Sequence, residues 1–473
     1  MVQGSCQLNN GKIQFILFVW GYMKKTISVI GGGLAGSEAA WQAAEQGIEV
    51  SLYEMRPSLQ TGAHATSDLA ELICSNSLGS RLPDRANGVL MSELRQLNSL
   101  LLSCAEQTQI PAGGALAVGR EAFARLVTHK ISSHPNIKVF REEVKKIPYG
   151  PTIIASGPLT SMSLSNSIQE LTGLDSLFFF DAIAPIVSGE SINMEIAFRA
   201  SRYGRGVDED GDYINAPFTK EQYEAFVTEL IRAERISLKS FEDQIQEGVR
   251  AGAHPFFESC LPVEVIALRG EKALAFGPMR PVGLTNPHTG RWPFAVVQLR
   301  QDNLAGDLYN LVGFQTNLKF SEQKRIFQMI PGLEQAEFVR YGQMHRNTFI
   351  ASPVLLNSHL QFNQRSDLFF AGQITGVEGY LGNIATGLLA GINASRLLQG
   401  RSLVSLPNTT MLGALIEYIT HANLDTFQPM KANFGILPAL ESTLRSKRDR
   451  AAAYAKRAQQ DMQELIAADF LNQ

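Results

Sequence analysis

The sequence predicts an α/β protein in which a Rossmann-like nucleotide-binding domain is assembled from both ends of the chain around an inserted α+β domain. Three observations predict it. A β-branched apolar run, "TISVI" (26–30), leads straight into a glycine-rich turn and an alanine-rich helical segment. A second such run, "SDLFFAGQITG" (366–376), ends in glycines and opens another small-residue helix late in the chain. Between them, over 186–345, the texture changes to an amphipathic segment followed by Pro- and Gly-rich strands.

Each element follows from local chemistry. "TISVI" lacks polar alternation, as suits a strand covered on both faces. "GLAGSEAAWQAAEQG" reads as a helix with Ala39, Ala40, Ala43 and Ala44 on a close-packing side and Gly47 as its stop. "IEVSLYE" then completes a βαβ unit. "PTIIASGP" (151–158) is a further short strand, and "NIATGLLAGINASRLL" (383–398) has helical periodicity. In the insertion, "NAPFTKEQYEAFVTELIRA" reads as an amphipathic helix. The expected division is an extension over 1–22, a first nucleotide-binding part over 23–185, the insertion over 186–345, and a second part over 346–473 ending in a basic helix.

Composition narrows the function classes. The chain has 473 residues, 18% charged, with a formal net charge of −3, an ordinary globular balance that does not announce a nucleic-acid partner. A local basic patch would suffice for one. The four cysteines, Cys6, Cys74, Cys104 and Cys260, form no CxxC pair and have no histidine at metal spacing, so no metal site is expected. So few thiols in so long a chain fit a reducing cytoplasm. The apolar run "KIQFILFVWGY" is too short to span a bilayer and no small-residue cleavage site follows it. Residues 1–22 therefore read as an extension, with Met23 as the functional start.

The motif Gly31-x-Gly33-x-x-Gly36 lies between strand and helix, and Glu54 ends the next strand. Gly31 permits the tight turn, Gly33 lets a pyrophosphate reach the backbone, Gly36 allows close packing, and Glu54 accepts from ribose hydroxyls. The predicted cofactor contacts here are Gly31, Gly32, Gly33, Leu34, Ala35, Gly36 and Glu54. "FFAGQITGVEGYLGNIATG" adds a second set of backbone amides and a second helix N-terminus, with Gly372, Gln373, Gly376, Gly382 and Asn383 as contacts. Two cradles favour a tightly held FAD over a borrowed nicotinamide. A glycine-rich packing loop is the plainer alternative for the second.

The segments "VIGGGLAGSEAAWQAAEQGIEVSLYEMRP", "ELICSNS", "FESCLPVEVIALRG", "FGPMRPVGL", "QMHRNTFIASP", "GQITGVEGYLGNIATGLLAG" and "NFGILPAL" occur in this order. Together they resemble the folate- and FAD-dependent tRNA (uracil-54-C5) methyltransferase family, TrmFO, a relative of the tRNA-modifying flavoprotein GidA. The match spans nearly everything after Met23, while the first 22 residues depart from it. The long helical C-terminal domain of the GidA group is not in the sequence, which sets expectation against that cousin.

The resemblance implies a cytoplasmic enzyme that methylates C5 of uridine 54 in the tRNA T loop. The carbon would come from 5,10-methylenetetrahydrofolate and the reducing equivalents from reduced FAD, itself re-reduced by NAD(P)H in a transient visit. C5 of uracil is a poor nucleophile until a thiolate adds to C6, so such chemistry calls for an activated thiol. Cys74 and Cys260 lie inside the family-like motifs: Cys260 is expected as the C6 nucleophile and Cys74 as an assisting thiol near the flavin, with the two roles open to exchange. Cys6 and Cys104 are expected to be structural. Tyr380 is expected to stack on the flavin, or else simply to pack. Glu378 is a candidate base or folate contact, and Arg346, beside His345, a candidate for phosphate or the folate tail, or equally for a structural ion pair. The run "LRSKRDRAAAYAKRA" (444–458), with Arg445, Lys447, Arg448, Arg450, Lys456 and Arg457, is a candidate phosphate-contacting surface or an ordinary solvated face. The alternatives are an FAD-dependent oxidoreductase of a small metabolite, a GidA-like wobble-uridine enzyme, and a flavin-bound scaffold without turnover. A simple hydride-transfer enzyme needs neither motif cysteine.

Overall fold

The computed structural model describes residues 25–61, 63–175, 177–204, 206, 210–236, 249–250, 261–441 and 444–470, with backbone alone at 177–182, 249–250, 344–346 and 469–470. The extension at 1–22, Cys6 and Cys260 lie outside the described residues.

The apolar runs form one five-stranded sheet, in the spatial order Leu368–Phe370, Thr152–Ile154, Thr26–Ile30, Glu49–Tyr53 and Ile137–Phe140. Every pairing in it is parallel, with Thr26 opposite Glu49, Ser28 opposite Thr152 and Leu368 opposite Thr152 on its other edge. A strand from late in the chain thus closes a sheet begun at residue 26, which realises the discontinuous domain. Burial on both faces explains the lack of alternation: Val29, Leu52, Ile153, Ile154 and Phe369 are all fully buried.

The helix Leu34–Glu45 covers this sheet beside the long helix Tyr380–Gln399. A methyl group added at Gly387 would lie 2.2 Å from the Ala35 carbonyl oxygen, and one at Gly391 2.5 Å from that of Ala39. The alanine and glycine faces therefore exist because the two backbones touch. The long helix starts at Tyr380, ahead of the expected 383, because Gly379 makes the turn in front of it. The helices Met411–His421 and Lys447–Leu465 join the same core through Met411, Leu412, Leu415, Ala458 and Met462.

The insertion is built on a six-stranded antiparallel sheet, ordered Phe198–Arg199, Tyr213–Phe218, Ala295–Gln301, Leu308–Leu311, Ile186–Ser188 and Phe338–Arg340. The helix Lys220–Arg232 buries Tyr223, Phe226, Val227 and Leu230 in this domain's core. "NAPF", expected as its first turn, instead ends the strand Tyr213–Phe218, and Thr219 and Gln222 close a capping box after it. The short helices Val263–Ala267 and Ala273–Phe276 then precede the strand Ala295–Gln301 where strands alone were expected. The antiparallel pair Leu177–Ala182 and Met344–Phe349 carries the chain into and out of this region. A fourth, small sheet joins Ser77–Ser80, Ala115–Val118 and Gln109–Ile110. Among the described residues no helix is long and apolar enough to cross a membrane.

Candidate functional site

The carboxyl ends of the parallel strands open onto a cleft bordered by Gly31, Gly33, Leu34, Ala35, Glu54, Gly372, Gln373 and Asn383. Gly31 adopts φ +104°, and a methyl group there would lie 2.5 Å from the Ala155 carbonyl oxygen. At Gly33 a methyl group would meet nothing within 4 Å, so the backbone is open to a ligand at the helix N-terminus. Gly32 and Gly36 do not border the cleft. The Gly32 N–H donates to Glu54 Oε2 at 3.0 Å, and a methyl group at Gly36 would lie 1.8 Å from the Gly31 oxygen.

Glu54 Oε1 accepts from the Arg56 backbone N–H at 3.0 Å and from its Nε at 2.9 Å. Burial pushes this carboxyl up, but the hydrogen bonds and charge of Arg56, with the Gly32 amide, outweigh it and hold the group below the usual carboxylate range. An ionised carboxylate retains lone-pair capacity beyond those three bonds, so Glu54 has the capacity to accept from ribose hydroxyls. The open Gly33 backbone and this carboxylate fit a dinucleotide such as FAD. Gly376 borders neither this cleft nor the next, and a methyl group there would lie 2.6 Å from Phe427 Cζ, so this turn packs against that ring.

A second cleft of about 200 Å³ is bordered by Cys74, Ser75, Gly79, Asn347, Glu378, Gly382 and Lys431, and it shares Tyr380, Ile73, Gln373 and Asn383 with the first. Tyr380 is thus the wall between them. Its hydroxyl accepts from the Cys74 N–H at 3.0 Å and donates to the Ser75 carbonyl at 2.7 Å. Burial, then the neighbouring Cys74, raises the phenol far above its ordinary range, so it stays a neutral donor. The tyrosine hydroxyl thus holds the backbone that carries the sulfur. Glu378 is buried in the same wall and accepts from Gln373 Nε2 at 2.5 Å.

Two buried arginines, Arg120 and Arg300, and the half-buried Arg340, none of them marked by a sequence motif, fix the loop around Cys74. Arg120, the first residue of the helix Arg120–Ser133, pairs with Asp302 through Nη2–Oδ1 at 2.8 Å and Nε–Oδ2 at 3.1 Å. It also donates to the carbonyls of Leu72 and Cys74, the latter at 3.3 Å. Arg340 Nη2 donates to the carbonyls of Ala63 at 2.9 Å and Ile73 at 3.3 Å. Asn76 accepts from Arg300 Nε at 2.7 Å and donates to the Gln301 carbonyl at 2.8 Å. The available signal was "VVQLRQD": charges ending a buried strand require buried partners.

Cys104 is buried, and burial followed by the nearby Glu38 pushes its thiol up to about 11, consistent with a structural role. Glu264, four positions after Cys260 in the sequence, accepts from the Asn317 N–H at 2.7 Å and Thr316 Oγ1 at 3.0 Å, and so holds a turn of the inserted domain.

A groove of about 1650 Å³ is bordered by Arg81, Arg85, Arg202, Lys447, Arg448 and Arg450, interleaved with Tyr203, Tyr213 and Tyr454. Gly79 borders both this groove and the Cys74 cleft. The expected basic run is therefore divided. Lys447, Arg448 and Arg450 are exposed along the groove, whereas Arg457 lies over the Tyr454 ring and donates to the carbonyls of Pro438 at 2.6 Å and Ala439 at 3.0 Å.

A family model described as glucose inhibited division protein A matches residues 26–402. A protein of Halalkalibacterium halodurans named methylenetetrahydrofolate–tRNA-(uracil-5-)-methyltransferase TrmFO is 54% identical over 440 residues, 93% of this chain and 98% of its own. One of the same name from Natranaerobius thermophilus is 56% identical over 441 residues, 93% and 99% of the two chains. Among solved structures, Aquifex aeolicus GidA aligns with a TM-score of 0.65 at 16% identity, covering 93% of this chain and 73% of that one, a likeness of fold. With the strand-end cleft, the glycine turn and the inserted sheet in place, the chain belongs to the glucose inhibited division protein A family, among its TrmFO relatives.

Proposed function

We propose that this protein methylates C5 of uridine 54 in the tRNA T loop, with 5,10-methylenetetrahydrofolate as carbon donor, bound FAD as the source of reducing equivalents and NAD(P)H as a transient reductant. The observation that carries the reading is the position of Cys74. Its cleft shares a wall with the dinucleotide cleft on one side and meets the basic groove at Gly79 on the other. The names of the relatives at 54–56% identity point the same way. An oxidoreductase of a small metabolite has no use for such a groove.

The division of labour follows from chemistry. The Gly31–Gly33 turn and the helix N-terminus behind it take the pyrophosphate, and Glu54 takes ribose hydroxyls. When bound, FAD supplies a hydride for completing the methyl group. Arg81, Arg85, Arg202, Lys447, Arg448 and Arg450 hold tRNA phosphates, and the target base leaves the folded elbow and passes Gly79 to reach the thiol. Cys74 acts as a thiol at the base or the cofactor. Cys260, outside the described residues, keeps its proposed part as C6 nucleophile. We place the domain limits at 23–185, 186–345 and 346–473, and the enzyme in the cytoplasm.

The test is direct. Flavin-loaded protein, unmodified tRNA transcript, methylenetetrahydrofolate and NADPH are incubated, and the digested RNA is assayed for 5-methyluridine. Its formation at position 54, and its loss in Cys74→Ala, are expected; no 5-methyluridine from flavin-loaded protein would falsify the reading.

A further inference from the structure

We propose that Arg120, backed by Asp302, is a positioning residue for Cys74: it fixes the sulfur-bearing loop against the inserted domain and keeps a cation beside the thiol. The inference rests on Cys74 being an active-site thiol, as proposed above.

Three successive carbonyls, those of Leu72, Ile73 and Cys74, each accept from a guanidinium, the outer two from Arg120 and the middle one from Arg340. The Cys74 N–H is held by Tyr380. The backbone on both sides of the sulfur is thus fixed by side chains from the long helix, from the start of the helix Arg120–Ser133 and from the strand Phe338–Arg340. Asp302 follows directly on the strand Ala295–Gln301, and Asn76 bonds that strand's last carbonyl, so the loop rests on the edge of the inserted domain.

Neutral donors could satisfy the same carbonyls without burying a charge. A guanidinium at this place adds a positive potential at the thiol and, through Asp302, a link to the second domain. Burial works against the Arg120 charge and the Asp302 carboxylate outweighs it, while a Cys74 thiolate acts in the same direction as Asp302. The coupling is reciprocal: an Arg120 cation favoured by a Cys74 thiolate favours that thiolate. The other charged or titratable groups around the sulfur are Tyr380, kept neutral, Arg340, of the same sign as Arg120, Arg300 through Asn76, and Glu378 and Lys431 across the cleft.

The experiment uses the full flavin-loaded chain. Iodoacetamide labelling of Cys74 is followed against pH by peptide mass mapping in wild type, Arg120→Gln, Arg120→Lys and Asp302→Asn, alongside kcat and KM for tRNA. Arg120→Gln is expected to move the labelling midpoint up by about one pH unit, roughly tenfold slower labelling at pH 7. Asp302→Asn keeps the cation and removes its neutraliser, so its midpoint moves down. Both lower kcat more than they change KM, because the loop loses its anchor, and Arg120→Lys keeps the midpoint near wild type while kcat stays low. Midpoints that move in the same direction for Arg120→Gln and Asp302→Asn, or do not move in folded flavin-binding protein, overturn the proposal; if Arg120→Gln does not fold, a downward midpoint in Asp302→Asn upholds it and an unmoved or upward one overturns it. Full methylation by Cys74→Ala would instead remove the functional reading on which the proposal rests.

Discussion

Tyr380→Phe removes a single oxygen that two backbone groups share. The ring keeps its volume, so packing between the two clefts is retained and the loss falls on the Cys74 N–H and the Ser75 carbonyl. A buried backbone group left unpaired costs about 1–3 kcal/mol, so two of them cost about 2–6 kcal/mol if both stay dry. The adjoining cleft of about 200 Å³ is large enough for water to reach them, which moves the expectation to the lower end, ~2 kcal/mol. The other anchors of the loop, from Arg120, Arg340 and Asn76, remain, so the cost appears as local opening rather than global unfolding. At about 1.4 kcal/mol per factor of ten, the open loop becomes roughly 30-fold more populated. The assay is native-state hydrogen exchange of the 72–76 amides, paired with single-turnover methylation. Exchange about 30-fold faster at Cys74, a methylation rate reduced at least several-fold and an almost unchanged urea midpoint are expected. Exchange within threefold of wild type would refute the reasoning, since the arginines alone would then hold the loop.

Three further outcomes follow from substitutions elsewhere in the chain. Gly31→Ala places a methyl group 2.5 Å from the Ala155 oxygen at φ +104°, so the purified variant should carry well under half the flavin of wild type by absorbance; full occupancy would show that the turn is not the cradle. Arg448→Ala with Arg450→Ala should weaken tRNA binding and lower the log–log salt slope by about two, whereas an unchanged slope would move the RNA off the groove. Glu93 is buried beneath the helix Met411–His421, whose first N–H groups, on Met411 and Leu412, it caps, and burial pushes it from 4.5 up to about 7. The folded state holds this proton more tightly, so the contribution is full below about 4.5 and is lost as pH rises through about 7, on the order of 3 kcal/mol. Urea unfolding of wild type minus Glu93→Gln between pH 5 and 8 should show this fall, and a flat difference would contradict it.

What could be read in advance was what neighbouring residues decide among themselves. An apolar run, a glycine turn and a small-residue helix lie within one continuous stretch, so the parallel sheet and the Gly31–Gly33 turn were legible. "NAPF" was misread as helix because its apolar residues continue the helical pattern, although Thr219 and Gln222 spell the capping box that starts the helix later. Gly376 shows a different limit: a cradle glycine and a packing glycine look identical in sequence, and only the fold sets Phe427 against it. The arginines are the extreme case. Arg120 reaches Cys74 across 46 positions and Asp302 across 182, and Arg340 reaches Ile73 across 267. None of these pairings leaves a local period or spacing. A buried charge nevertheless announces that a partner exists, because an isolated one is too costly to keep. "VVQLRQD" could therefore have been read as a demand for partners, though not as an address. The same distinction bears on the two motif cysteines. A cysteine within a recognisable motif shows where a thiol is retained, whereas its reactivity is set by charges and donors that arrive from distant segments. For Cys74 those groups are Arg120, Arg340 and Tyr380, from both sides of the domain junction. A change that loosens the junction should therefore alter the thiol before it alters the fold.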